Sequence, residues 1–384
     1  RSLADPYLAL SNLTTGQYVQ YYYGGAVHDL TYLRVDRLGN PNLQWEKSTA
    51  YNIGLDFSFL DGRITGNLDW YLTQTKDMIM DQRLPGFSGF DHITTNLGQV
   101  DNSGIELTVN SKNIDTPDFK WNTSLTFSYN KNKIKKLYGD YDEYGRELDD
   151  KTNQWFVGHA IDEIWDYKVE GIWQVSEREE AARYGQEPGD PKIWNNPDND
   201  IKNPDGTTTP YYDENDKVFI GNRTAPYRLS MRNEFTILKN ISIGINLYGY
   251  FGWKASQNAF NYDRFMNRDN DGGFLLYKMQ NEPAKEYWTV ENPSNKYARI
   301  DAQGTGGADH PHLYVNRSFL RIDNISVAYT FPKEIVKKIE LTGLKVYGNI
   351  KNVGNIHSGD WTYGDPEIMT YSTRTFNLGI NVTF

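Results

Sequence analysis

The run that most constrains the fold is Arg374 to Phe384. In it Phe376, Leu378, Ile380, Val382 and Phe384 alternate with Thr375, Asn377, Gly379, Asn381 and Thr383. A side-chain period of two belongs to a strand. One face is apolar and the other small or polar, so the strand divides an oily phase from a wet one. A soluble sandwich edge meets that description too. The run, however, ends on the apolar face with Phe384, at about the 9 to 11 residues a tilted membrane strand needs.

Composition supports the membrane reading. Mean hydropathy is low, -0.70, and no stretch of about 18 apolar residues offers a transmembrane helix. Aromatics nevertheless reach 14%, with 28 Tyr and 10 Trp. A β-barrel reconciles the two, because only alternate residues touch lipid while lumen and loops stay polar. The net charge of -10 argues against a nucleic-acid partner, which calls for a basic surface. With no cysteine, disulfides and thiolate metal sites are excluded. Arg1-Ser2-Leu3-Ala4 shows no charged-then-apolar leader, so either a signal peptide is removed or the chain begins midway through something larger.

Residues 1–47 have no sustained period and read as a loop region leading into a barrel that occupies 48–384. From Tyr51 the alternation begins, with Tyr51, Ile53, Leu55, Phe57 and Phe59 on one face. Asp61-Gly62 signals a hairpin, and Leu68, Trp70 and Leu72 mark the return strand. Residues 75–100 read as a long loop. Strands follow at Ile105 to Val109, Trp121 to Tyr129, Tyr227 to Ile237, Ile241 to Phe251, Phe319 to Phe331 and Leu344 to Val353, and then the terminal run. In the Phe319 strand Leu320 and Ile322 have the opposite parity from Ile325 and Val327, which a bulge near Asp323-Asn324 corrects. Parity of short turns and long loops puts 162–174 in an extracellular hairpin rather than the wall. Large extracellular loops are expected at 131–224 and 252–317. The fold class is all-β: a transmembrane antiparallel up-and-down β-barrel, partial, with roughly nine spanning strands against the even numbers of bacterial barrels. An open edge in lipid is costly, so the missing strands are expected in another chain or in an N-terminal part outside this sequence.

Motifs in order along the chain sharpen this. Asn40-Pro41-Asn42-Leu43-Gln44-Trp45-Glu46-Lys47 precedes Tyr51-Asn52-Ile53-Gly54-Leu55-Asp56. Gly104-Ile105-Glu106-Leu107, Phe127 to Ile134, Gly171-Ile172-Trp173-Gln174 and Pro188-Gly189-Asp190 come next. Val218 to Asn222, Glu291 to Tyr297, Ser318 to Ile322 and Asp365-Pro366-Glu367 complete the series. Together they resemble the late barrel of SusC/RagA-type TonB-dependent outer-membrane transporters. The resemblance implies a barrel of about 22 strands, closed by a plug, energised through TonB and lidded by a SusD-like lipoprotein. The plug is absent from these residues, so TonB would act through a missing N-terminal part.

Candidate sites are few. Asn195, Asp198, Asp200 and Asp216 lie where the resemblance implies an acidic loop, and oxygen ligands at short spacing suit Ca²⁺. The alternative is a solvated acidic loop. Asp269-Asn270-Asp271-Gly272 and Asp309-His310-Pro311-His312 read as turns. Trp155, Trp165, Trp173, Trp194, Trp253, Trp288 and Trp361 fall in loops and could serve as sugar-stacking platforms, contacts for the lid, or loop packing. Trp70 and Trp121 sit on the lipid face and fit an interfacial girdle. No catalytic motif is present, so no enzyme is expected. The function read from this is import of oligosaccharides or peptides across an outer membrane. The alternatives are a structural scaffold in an outer-membrane complex and a secreted β-sheet glycan-binding protein.

Overall fold

The computed structural model describes residues 9–15, 19–30, 33–84, 86–257, 286–299, 302, 311–361 and 364–384. Asp269 to Gly272 and Asp309-His310 lie outside them. Nine strands form one sheet: β1 Lys47–Phe59, β2 Ile64–Arg83, β3 His92–Asp115, β4 Phe119–Lys136, β5 Tyr227–Ile237, β6 Ile241–Phe251, β7 Phe319–Thr330, β8 Gly343–His357 and β9 Thr375–Thr383. Each strand is bonded to its neighbour in the chain, with β1 and β9 at the two ends of the sheet. That is the up-and-down order the alternation predicts. The segment Glu163–Tyr167 pairs instead with Lys217–Asn222 in a separate two-stranded sheet, outside the wall as parity requires.

Register carries the apolar face from strand to strand. Phe235 pairs with Trp121 and with Ile243. Ile245 pairs with Ile325, Ile325 with Ile350, and Ile350 with Phe376. Paired residues share a face of the sheet, so these side chains make one continuous apolar surface. Leu378, Ile380 and Val382 are left exposed on it. The expected bulge is present, with the β6–β7 register skipping Asp323, so Leu247 pairs with Ile322 but Asn246 with Asn324. One extra residue puts Leu320 and Ile322 back among the lipid-facing side chains.

The apolar face has one polar insertion close to a hairpin end. Asn233 Oδ1 accepts from Trp121 Nε1 at 3.0 Å and from Thr123 Oγ1 at 2.7 Å. Asn113 Nδ2 donates to Thr123 Oγ1 at 2.7 Å. Cross-strand bonds thus satisfy groups that lipid would leave unpaired.

Strand lengths depart from the sequence reading. The loop expected at 75–100 is mostly strand, since β2 runs to Arg83 and β3 starts at His92. Likewise β4 continues to Lys136, inside the loop expected from 131. The alternation is hidden there because Asp77 and Gly98 take positive φ, 55° and 80°, and each such residue shifts the parity of the residues after it.

The chain divides into two compact units. The first comprises Arg1–Gly54, Asp69–Ile105 and Asn130–Ile161. The loop expected over 1–47 holds two antiparallel pairs, Asn12–Thr15 with Leu33–Arg37 and Val19–Tyr23 with Ala26–Leu30. Gly24 and Gly25, both at positive φ, turn the inner hairpin, as type I′ geometry demands. The Asn40 to Glu46 motif is tied down by side chains. Asn96 Nδ2 donates to the carbonyls of Gln44 (2.7 Å) and Asp77 (2.8 Å), and Asn40 Nδ2 to that of Thr94 (3.0 Å). The second unit comprises Leu55–Leu68, Glu106–Tyr129 and Asp162–Phe384.

Placing Arg at Ile245, on the lipid face, is expected to cost about 2 to 4 kcal/mol, whereas Arg at Asn246 is expected to be mild. Urea-titrated folding into lipid vesicles measures both, and equal costs would remove the face assignment.

Candidate functional site

The second unit carries a folded loop module built from segments far apart in sequence. Val169–Ile172 pairs with Pro191–Ile193, and α1, Arg178–Arg183, bridges them. The segment 286–299 docks onto this hairpin through matched polar groups. Asn295 Oδ1 accepts the Ile172 N–H at 2.9 Å, Trp288 Nε1 donates to Gln174 Oε1 at 3.0 Å, and Arg299 Nε donates to Asp190 Oδ1 at 2.9 Å. Beneath them Ile172, Trp288, Ala298 and Ala302 form a small core. Gly189 has φ of 96°, and a Cβ there would come within 2.6 Å of the Trp288 ring. So the Gly171 to Gln174, Pro188 to Asp190 and Glu291 to Tyr297 motifs are parts of one packed joint.

That joint sorts the loop tryptophans. Trp165, Trp173, Trp288 and Trp361 are buried, Trp173 at 2% exposure. Trp173 donates to Gln186 Oε1 at 2.8 Å, lies under Lys192 Nζ at 4.4 Å and meets Tyr184 at 5.5 Å. Trp173, covered in this way, packs within its own loop. Trp155, Trp194 and Trp253 are only half-buried. Trp194 lines a cavity of about 400 Å³. Trp253 stacks under the Arg317 guanidinium at 4.2 Å.

The acidic loop is partly gathered. Asp216 is fully buried and accepts three N–H donors: Asn196 N (2.7 Å), Asp213 N (2.6 Å) and Asn199 Nδ2 (3.0 Å). Asn195 Nδ2 donates to Asp200 Oδ1 at 3.0 Å, while Asp198 is exposed. Asn199 Nδ2 also reaches Asp213 Oδ1 at 2.9 Å and the Tyr211 carbonyl at 3.3 Å. Three oxygens therefore converge on one amide nitrogen, at the point where a cation would sit. Meanwhile Asn195 Oδ1 and Asn199 Oδ1 are buried without a donor. Carboxylate, carbonyl and amide oxygens of this kind are ligands a hard cation takes, and the Asn199 nitrogen stands among them. Among the described residues no three acidic or imidazole groups cluster as metal ligands.

A second cluster was not assigned a role from sequence. Arg321, 5% exposed, donates through Nη2 to Asp365 Oδ1, and its guanidinium lies 3.2 Å from Glu367 Oε2. Tyr248 Oη donates to the same Glu367 oxygen at 2.6 Å. Arg317 holds the Pro366 and Glu367 carbonyls, the latter at 2.8 Å. The Asp365-Pro366-Glu367 motif is thus the pin that fastens the last loop, 358–374, to β6 and β7. Burial pushes the Asp365 carboxyl up, but hydrogen bonds from Arg321, Ser372 and the Glu367 N–H outweigh it and hold it below the usual carboxylate range.

The geometry defines a class: barrel wall with one lipid face, one wet face, and loops folded on their own cores. The family model described as "TonB dependent receptor-like, beta-barrel" matches residues 6–227, and the chain belongs to that family. It is a family of outer-membrane transporters, not of enzymes, so the chain's place is the outer membrane. The chain is 28% identical to the TonB-dependent receptor SusC of Bacteroides thetaiotaomicron, over 97% of this chain and 35% of that protein. It is 27% identical to TonB-dependent receptor P26 of Formosa agariphila, over 92% of this chain and 36% of that protein. It therefore spans about a third of the length of these curated relatives. Among solved structures, the RagAB peptide importer in the "open-open" state superposes with a TM-score of 0.70 at 22% identity, over 99% of this chain and 38% of that one. That likeness establishes the fold.

Arg321→Ala is expected to cost about 3 to 5 kcal/mol, because it leaves Asp365 buried and unpaired. The double variant with Asp365→Ala should recover part of the loss. Because the folded pKa of Asp365 is depressed, the pin's contribution is complete above the ordinary value of 3.8 and is lost as pH falls through the folded pKa. Protease cutting of 358–374 should therefore rise only in acid below that value. A rise already under way at pH 6 would contradict the account.

Proposed function

We propose that this chain supplies the C-terminal part of the wall, and the extracellular loops over it, of a TonB-dependent importer of oligosaccharides or peptides. The observation that carries the reading is the apolar face continued across β4 to β9, together with connecting loops that fold on cores of their own. A wall with a wet inner face provides a path through the membrane. Ordered loops above it provide a surface on which cargo and a SusD-like lid can be held. In this arrangement residues 48–384 are wall and loops, and 131–224 and 252–317 face outside. The coupling to TonB belongs to the rest of the transporter.

The test is uptake of labelled oligosaccharides and peptides by cells that carry the gene, lack it, or lack TonB. Import predicts uptake that disappears in both deletions. A scaffold predicts altered outer-membrane assembly with uptake intact, and that result would displace the importer reading.

The Asn195, Asp198, Asp200 and Asp216 loop carries a second proposal, a Ca²⁺ held mainly by Asp216, Asp213 and the Asn199 amide oxygen. It is supported by the two buried amide oxygens without donors. Adding Ca²⁺ to chelator-treated protein should raise the melting temperature, by about 2.7 kcal/mol of stabilisation when the ion is at a hundred times its Kd. Asp216→Asn should abolish the shift. A melting temperature unmoved by millimolar Ca²⁺ would dismiss the site.

A further inference from the structure

The side of the strands that meets lipid continues past the lipid. On β4 the parity that carries Leu125, Phe127 and Tyr129 runs on through Lys131, Lys133 and Lys135, all three exposed. No residue between Tyr129 and Lys136 takes a positive φ. Burial agrees, since Ile134 on the opposite parity is only 2% exposed. On β2 the parity of Leu68, Trp70 and Leu72 runs on through Gln74 to Lys76, which is exposed too. Four lysines therefore stand on the outward side of the long-loop ends of these strands. Tyr129 and Tyr227 mark where the hydrocarbon stops: they pair across β4 and β5 with rings 5.0 Å apart, as aromatics of an interfacial girdle do.

The charge of this patch runs against that of the chain, which carries -10 overall. Among the described residues no carboxylate pairs with any of the four lysines. Asp101, on the outward parity of β3, which lies between β2 and β4, is held instead by Gln74 Nε2 at 3.3 Å and Gln99 Nε2 at 2.7 Å. Residues two apart on a strand lie about 7 Å from each other on one face, so Lys131, Lys133 and Lys135 repel one another. A face that met only water would mix charges of both signs. An anion lying along the strand removes the repulsion.

Depth narrows the kind of anion. Lys131 lies two residues past Tyr129 and Lys135 six, so on a tilted strand they stand about 5 to 15 Å beyond the girdle. The polar zone of an ordinary phospholipid leaflet is only about 5 to 8 Å deep. Lys131 meets the phosphates of such a layer, whereas Lys133 and Lys135 reach past it. We infer that the patch binds an outer-leaflet lipid whose large headgroup carries phosphates at more than one depth, as a phosphorylated sugar headgroup does. Lys131, Lys133 and Lys135 take the phosphates, with Lys76 on the far side of β3, and the acyl chains lie along the apolar parity below. The strand length of β3 and β4 beyond the bilayer thereby has a use on its outer side. The site requires the long-loop ends of the strands to lie outside and is independent of the cargo.

The test uses the full-length transporter in detergent and native mass spectrometry with three probes: bisphosphorylated lipid A, the same lipid with its phosphates removed, and phosphatidylglycerol. Lipid A is expected to bind most tightly, and removing its phosphates to weaken it at least about tenfold, since each lysine beside an anionic headgroup contributes roughly fivefold. The triple variant Lys131→Gln, Lys133→Gln, Lys135→Gln should bring intact lipid A down to the level of the dephosphorylated lipid, whose own binding stays unchanged. Arginine at the same three positions should keep the preference. Melting temperatures show that both variants fold. An undiminished preference in the glutamine variant, an equal loss for both forms of lipid A, displacement of lipid A by millimolar inorganic phosphate, or no binding of any probe would each overturn the inference. Phosphatidylglycerol bound as tightly as lipid A would overturn it as well, by showing that phosphate at a single depth suffices.

Discussion

Everything in the wall depends on one constraint. In hydrocarbon no water is available to backbone N–H and C=O groups, and each group left unpaired costs several kcal/mol. A chain that crosses with strands must therefore bond each strand to a neighbour along its whole buried length. The ladders from β4 to β9, broken only where β7 bulges at Asp323, meet that demand. Once the ladder is set, side chains alternate of necessity, and the sequence has only to put large apolar groups on one parity. The bulge at Asp323 shows the priority, because the strand absorbs an extra residue sooner than leave Leu320 and Ile322 on the wet side.

Outside the membrane the constraint is lifted and ordinary globular packing takes over. The module around Ile172 and Trp288 behaves as a small soluble domain would, with a dry centre and matched polar joints. Its aromatics are spent largely on itself. Long loops with a core of their own present a defined surface, and that is what recognition needs. The pin at Arg321 extends the same order to the last loop by anchoring it to β7 of the wall.

This division explains what could be read from sequence. Where lipid imposes period two, each strand was legible, to the exact ends for Tyr227–Ile237 and Ile241–Phe251, and so was the bulge. Where strands run past the band, the signal fades: β3 has 24 residues, more than twice the 9 to 11 or so that cross a bilayer. The surplus is not held to a lipid face, and positive-φ residues, Gly98 in β3 and Asp77 in β2, disturb the alternation that remains. The Gly24-Gly25 turn was visible, but its flanking strands lack the alternation that gives a hairpin away. The tryptophans stayed unsorted for a different reason. Composition shows that a loop holds an indole, while only tertiary contact shows that Gln174 takes the Trp288 N–H and Gln186 that of Trp173.

The candidate sites obey the same logic at finer scale. Asp216 is a charged group drawn wholly out of water in a loop. Three N–H groups of its own loop approach it, while Asn195 Oδ1 and Asn199 Oδ1 close by are buried with no donor.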